Sequence, residues 1–445
     1  MTPTIQLDYD ELTFSFPEIT QQLNALLDKH IQHRMPALRL PDDRSKLVNA
    51  VIELASGSEW AFRPHDDDAP EENARRPTRG YRIYGPPKSL ETTARKLTAA
   101  DVEKALRDSV RLPSPTVGIS FQRTLRIPDD GNTYPLPAGL GKFRLHSVDE
   151  FADTLPAEWL KRGGVIMPMY QSEALWIRFT SDYPFAVKIA SGKINAISGE
   201  PWTPDLQQNP QNYVVLPKQP WLDGFSIGEG LIRQFVAMPL GEGYTVEEQL
   251  TGKGDIGGIQ LQTYPMNAET YFREEVIPDI PTTLEDILPT LFAEQLQRSE
   301  DDGIYRCFAP PSQGSGMGIG MGGLMRQEIY EDRDPITAWD QTQTRRCFIH
   351  LCNSLTWRQF THTNPPHPPM TTTEYKRHGI PWFDYYRDDQ TSLQGSELLA
   401  KLKSVHQLGK EKNTQPLPEN TPITPETIIQ YGNTRRPGEI REFLD

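Results

Sequence analysis

The chemistry in this chain has to be sought among a few groupings of side chains. The densest is Gln219-Pro-Trp-Leu-Asp-Gly-Phe-Ser-Ile-Gly-Glu-Gly-Leu-Ile-Arg-Gln-Phe235. Trp221 supplies an aromatic face, Asp223 an acceptor and Arg233 a rigid donor fork, the three parts of a ligand-binding rim. The competing interpretation makes Trp221 a core residue and Asp223 with Arg233 a local ion pair closing a hairpin. Asp223-Gly224 is expected to turn, while Gly228 and Gly230 allow close backbone approach.

A second grouping, Cys347, His350 and Cys352, with His362 and His367 downstream, has the side-chain types of a metal site. Its geometry argues against one. On a strand, Cys347 shares a face with Ile349 and Leu351 while His350 and Cys352 point the other way, so the three cannot meet one ion without a bend. The chain has no C-x-x-C, no H-E-x-x-H and no EF-hand ladder. Neither a metal nor a cofactor is expected; buried cysteines beside a hydrogen-bonded histidine fit better. His350, Asp340 and Asp223 remain the acid-base candidates should the protein be an enzyme. G-x-S-x-G and S-x-x-K are both missing, so no nucleophile is marked.

Gly314 to Gly323 holds six glycines in ten residues, with a formal G-x-G-x-x-G at Gly318, Gly320 and Gly323. Pro310-Pro311 stands where a phosphate-binding loop needs a strand, and no Lys-Ser/Thr pair follows. The expectation is a glycine loop, either a passive linker packed by Met317, Met321 and Met325 or a lid over a pocket.

The elements that must position these groups are β-rich in the middle of the chain. In Leu175–Phe179 and Phe185–Ile189 apolar side chains alternate, the period of a sheet with one buried face. Ser191-Gly192 turns into Ile194–Ile197, and further strands are expected at Tyr213–Leu216, Leu231–Met238, Gly258–Tyr264 and Arg346–Asn353. Gly258–Tyr264 puts Ile259 and Leu261 on one face and Gln260 and Gln262 on the other. Helices are expected at 17–33, at 98–110 behind a Thr98/Asp101 capping box, at 282–298 with a kink at Pro289, at 354–360, and at 396–408 between Ser396 and Gly409. Residues 64–80 read as an exposed loop and the last 35 residues as a polar tail.

The fold class is therefore α+β: a largely antiparallel, sandwich-like or barrel-like β core with an α-rich N-terminal region and peripheral helices. The expected division is 1–115, 116–280, 281–335 and 336–445. Connections between strands are too short for crossover helices, which argues against a doubly wound sheet.

Composition bounds the function. The 445 residues carry 46 Lys+Arg against 60 Asp+Glu, a net charge of −14, which excludes a generally basic nucleic-acid binder. Forty prolines, against a usual share of about 5%, imply stiff extended loops. Three cysteines fit a reducing compartment. The acidic start lacks the basic and apolar regions of an export signal, and no apolar run reaches membrane-spanning length, so a cytoplasmic location is expected, without membrane or nucleic-acid partners. With catalytic motifs missing and aromatic and proline content high, the sequence favours a binding or self-associating protein without catalysis, with a protein partner, a second copy or a small molecule as ligand. The Pro381–Tyr386 run is its candidate partner surface if exposed. The alternative is an enzyme with a pocket between the β core and the C-terminal region, under the glycine loop.

Overall fold

The computed structural model describes residues 5–57, 63–64, 81–82, 94–153, 155–291, 316–361, 364–365, 368, 377, 381–385, 391–414 and 428–431. The 64–80 loop beyond Pro64, Cys307, His362, His367, residues 292–298 of the kinked helix and most of the C-terminal tail lie outside the described residues. The chain forms two compact units. One comprises residues 1–19, 114–267 and 308–445, and the other residues 20–113 and 268–307.

The first unit is built on a large, mainly antiparallel sheet that is not closed, with helices at its periphery. From one edge, Ile5–Asp8 pairs with Glu11–Ser15, then come Thr116–Thr124, Ala174–Thr180, Leu231–Pro239 and Gly316–Arg326. Gly316–Arg326 meets Arg345–Asn353, which continues through Ile259–Pro265 and Phe185–Ser191 to Val214–Leu216. Val165–Met169 joins Arg345–Asn353 in parallel. The α+β class and the antiparallel core expected from the pattern are what the chain adopts.

Three details depart from the sequence expectations. Phe185–Ser191 is buried along its whole length rather than on one face, because both sides of the strand are covered. The glycine segment is no loop from Gly316 onward: Gly316–Arg326 is an eleven-residue strand running through the middle of the sheet. The pattern behind it has period two, with glycine at 318, 320 and 322 on one face and Met317, Ile319 and Met321 on the other. The glycine face is where other chain segments press in. A Cβ at Gly318 would lie 2.9 Å from Thr245 Cγ2 and one at Gly320 2.9 Å from the Tyr244 carbonyl; beyond the register shift that follows Met321, one at Gly323 would run into the Pro128 carbonyl. A lid is thereby excluded for this part of the segment. The expected 396–408 helix is two short ones, Glu397–Ala400 and Val405–Glu411. Ser396 caps the first, and Ser404 caps the second while also holding the Asp129 carboxylate; Gly409 lies inside the second helix.

In the second unit, helices Arg44–Gly57, Ala99–Ser109 and Leu284–Leu291 contribute to a cluster of Leu47, Val48, Val51, Leu97 and Leu288. The Thr98/Asp101 capping box forms as expected. Pro17–Arg34 forms the expected first helix, with Ile19, Leu23, Leu27 and Ile31 buried. No helix among the described residues is long and apolar enough to cross a membrane.

The glycine strand makes a contrasting pair of substitutions informative. Gly323→Ala should destabilise the protein by about 1–3 kcal/mol, since the methyl group meets backbone that cannot retreat. Gly409→Ala, with its nearest neighbour at 3.6 Å in an ordinary helix, should be neutral or stabilising by about 0.5–1 kcal/mol. Urea unfolding of both variants measures the difference; equal effects would contradict the close-approach account.

Candidate functional site

The Gln219–Phe235 segment does bring Trp221 and Asp223 together, though its turn is displaced from the expected place. Asp223 sits between the short strand Trp221–Leu222, which pairs with Ile177–Arg178, and the strand Gly224–Gly228. Gly224 is small because the backbone of Arg233 crosses against it, and the chain reverses at Glu229-Gly230, where Gly230 has φ +62°. Asp223-Gly224 is thus extended, not a turn.

Two buried glutamines fix this segment to a distant one. Gln219 donates to the carbonyls of Trp221 (3.0 Å) and Glu328 (3.2 Å) and accepts from the Tyr330 amide (3.2 Å). Gln327 accepts from the Asp223 amide (2.9 Å) and donates to the Trp221 carbonyl (3.3 Å). Each side-chain amide thereby replaces a strand ladder between residues 219–223 and 327–330.

Held this way, Asp223 is 2% exposed. Its Oδ2 accepts from Trp221 Nε1 at 2.9 Å, while Oδ1 is buried without a hydrogen-bond partner. No cation among the described residues pairs with this carboxyl. Burial, opposed only by the indole hydrogen bond, pushes its pKa up to about 8, so at neutral pH the group is largely protonated and Oδ1 can donate. It lines a cleft that is open at its mouth and encloses about 20 Å³, with Trp221, Tyr330 and Phe383 as aromatic walls and Lys218, Arg326 and Glu328 as charged groups.

The remaining candidates lie elsewhere and serve local structure. Arg233 does not pair with Asp223; it donates to Asp129 Oδ1 and to the Gly322 carbonyl, both at 3.0 Å. The expected Asp223–Arg233 closure is replaced because Arg233 faces the neighbouring Gly316–Arg326 strand instead. His350 stacks on Trp159, with ring centroids 4.6 Å apart, and its Nε2 lies 3.0 Å from the Gly163 carbonyl. Burial lowers its pKa to about 4, which keeps the ring neutral. Asp340 Oδ1 accepts from the Thr342 amide and hydroxyl and the Gln343 amide, a turn-closing cap. Cys347 and Cys352 are free and buried, with the Cys347 thiol pushed up to about 12, so neither is an activated nucleophile. Among the described residues no three His, Cys, Asp or Glu side chains gather as metal ligands. Trp382 is fully buried with its ring 6.0 Å from Tyr134, so it is not part of an exposed aromatic surface.

The sequence singled out Trp221 and Asp223 but missed Gln219, Gln327, Glu328 and Tyr330. Nothing local in the chain marks those partners, because they join residues about a hundred positions apart. No protein-family model matches the chain, and neither curated proteins nor solved structures gave a match.

Two outcomes follow from this geometry. Asp223 binds a proton more tightly folded than unfolded, so its contribution to stability is fully present below about pH 4 and is lost as pH rises through about 8. Comparing Asp223→Asn with the parent across pH 4–8 by denaturant unfolding should reveal this as a parent-specific loss of up to about 1.4 kcal/mol per pH unit. Parallel curves would contradict it. For His350→Ala, loss of the stacked ring and of the Gly163 carbonyl's partner should cost about 1–3 kcal/mol at pH 7, read from the same unfolding curves.

Proposed function

We propose that this is a cytoplasmic, non-catalytic binding protein whose ligand site is the cleft over Asp223. Its ligand is a small organic molecule with a flat or apolar body and a hydrogen-bond acceptor, a carbonyl or carboxylate oxygen. One observation carries the proposal: a wholly buried carboxyl has one oxygen satisfied by Trp221 and the other bare, in a residue that lines a cleft. A buried polar atom without a partner costs about 1–3 kcal/mol, which a ligand acceptor would offset. Trp221, Tyr330 and Phe383 suit a planar body. Nucleic acid and membrane are not part of this proposal.

The raised pKa also favours a second reading, in which Asp223 is a general acid towards a bound substrate, with Glu328 and Tyr330 as further titratable groups in the cleft. One experiment separates the two. Native mass spectrometry of protein purified from its own host identifies any retained ligand and the subunit number. Small aromatic carboxylic acids and amides are then titrated into the parent, Asp223→Asn and Asp223→Leu. Under the binding proposal, parent affinity is flat below about pH 8 and falls about tenfold per pH unit above it. Asp223→Asn, which still offers an N–H donor, binds without this pH dependence, and Asp223→Leu loses binding. Turnover abolished in Asp223→Asn with binding intact would favour the catalytic reading. Binding that Asp223→Leu leaves unchanged contradicts both.

A further inference from the structure

A second cluster lies apart from the Asp223 cleft, on the polar face of the sheet. Lys188, Gln262 and Arg346 stand directly opposite one another on three neighbouring strands, Phe185–Ser191, Ile259–Pro265 and Arg345–Asn353, so they share one face. Trp202 lies against both cations, its ring centroid 5.2 Å from Lys188 Nζ and 5.2 Å from Arg346 Cζ.

Lys188, Arg346 and Trp202 present donor capacity that the protein does not use up, and Gln262 carries a bare amide oxygen. Lys188 gives two protons to the carbonyls of Thr203 and Asp205 and has a third. The carboxylates it feels, Asp205 and Glu200, form no ion pair with it, and burial pulls its pKa down to about 8. Arg346 donates one N–H to Gln260 Oε1 and leans on Phe348, but no carboxylate pairs with it among the described residues. Trp202 Nε1 is buried without a partner. Gln262, 6% exposed, makes no side-chain hydrogen bond among the described residues and has its Oε1 buried and bare; turned end for end, its amide would offer two N–H donors. Two cations without carboxylate partners and two orphaned amide or indole groups in one patch are costly unless an acceptor completes them.

We propose that Lys188, Trp202, Gln262 and Arg346 form a binding site for a tetrahedral oxyanion, either free phosphate or the phosphate of a small phosphomonoester. Arg346, which is exposed, forms the entrance, and Lys188 lies at the buried end. A phosphate has enough acceptor oxygens to serve all four donors, and charge-assisted hydrogen bonds make the recognition tight. The inference is independent of the Asp223 proposal, since it shares no residue with that cleft.

The test titrates the full-length protein calorimetrically, in phosphate-free buffer, with inorganic phosphate and with phenyl phosphate. Saturable binding of one equivalent is expected. Arg346→Gln and Trp202→Phe should each weaken it about tenfold or more, the loss of one good hydrogen bond to an anion. Both keep most of the side-chain bulk, and unchanged melting temperatures verify their folding. Lys253→Gln, an exposed cation outside the cluster, should bind like the parent. Tighter binding of phenyl phosphate identifies an organic phosphate as the ligand, and equal or weaker binding identifies the free anion. The proposal is overturned if neither probe saturates by about 10 mM, or if Arg346→Gln binds like the parent. It is overturned too if Lys253→Gln loses as much affinity as Arg346→Gln, which would make the effect diffuse surface charge.

Discussion

The central strands of the sheet are covered on both faces, and that constraint organises the rest of the structure. Phe185–Ser191 and Ile259–Pro265 have no solvent-facing side, so polar side chains on them cannot rely on water. A buried polar group must find a partner inside the protein or weaken the fold. The chain meets this demand mainly with side-chain amides that bond to backbone. Gln234 bridges the Leu125 carbonyl and the Ile127 amide, Gln211 bridges the Tyr213 carbonyl and the Asp332 amide, and Asn195 holds the Asn212 carbonyl. Gln219 and Gln327 belong to the same set. These ties fasten irregular segments where regular pairing stops, which is how a sheet with so many short strands stays specific.

Against that background Asp223 stands out. It belongs to the same network through its backbone amide, which donates to Gln327, yet its carboxyl has one partner and no cation among the described residues. The contrast with Glu173 is instructive. Glu173 is equally buried but accepts from Arg123 and from the Tyr170 amide, so its site is complete. Asp332, another buried carboxylate, accepts from the Tyr213 hydroxyl, the Trp339 indole and the Asp334 amide. Asp223, which lines a cleft, alone of these three is left with a bare oxygen, and incompletely satisfied groups of this sort belong to binding and catalysis more often than to scaffolding.

Much of the fold was legible in the sequence. Alternation at Leu175–Phe179, the Ser191-Gly192 hairpin and the Thr98/Asp101 capping box are local signals, and each one formed. The split of Gln260 and Gln262 from Ile259 and Leu261 was equally visible and now places Gln262 beside Lys188 and Arg346. The glycine segment was misjudged because glycine usually signals turns. Here its period-two alternation with Met317, Ile319 and Met321 carried the strand, and the small residues answer to chains packed against them. Such packing is a tertiary fact that no local pattern records. The same limit applied to the site. Trp221 and Asp223 were recognisable by type, but the partners that bury Asp223 come from residues 327–330, and Arg233 was drawn to Asp129 by a strand the sequence did not reveal.

A ligand site at Asp223 requires the carboxyl to be neutral at physiological pH. Labelling the protein with aspartate enriched in ¹³C at the side-chain carboxyl, and subtracting the spectrum of Asp223→Asn, isolates its resonance for titration by NMR. A midpoint near pH 8 is the predicted result. A midpoint near the ordinary value of about 4 would mean that the carboxyl is ionised and solvated, and the cleft would then have no buried donor with which to hold a ligand.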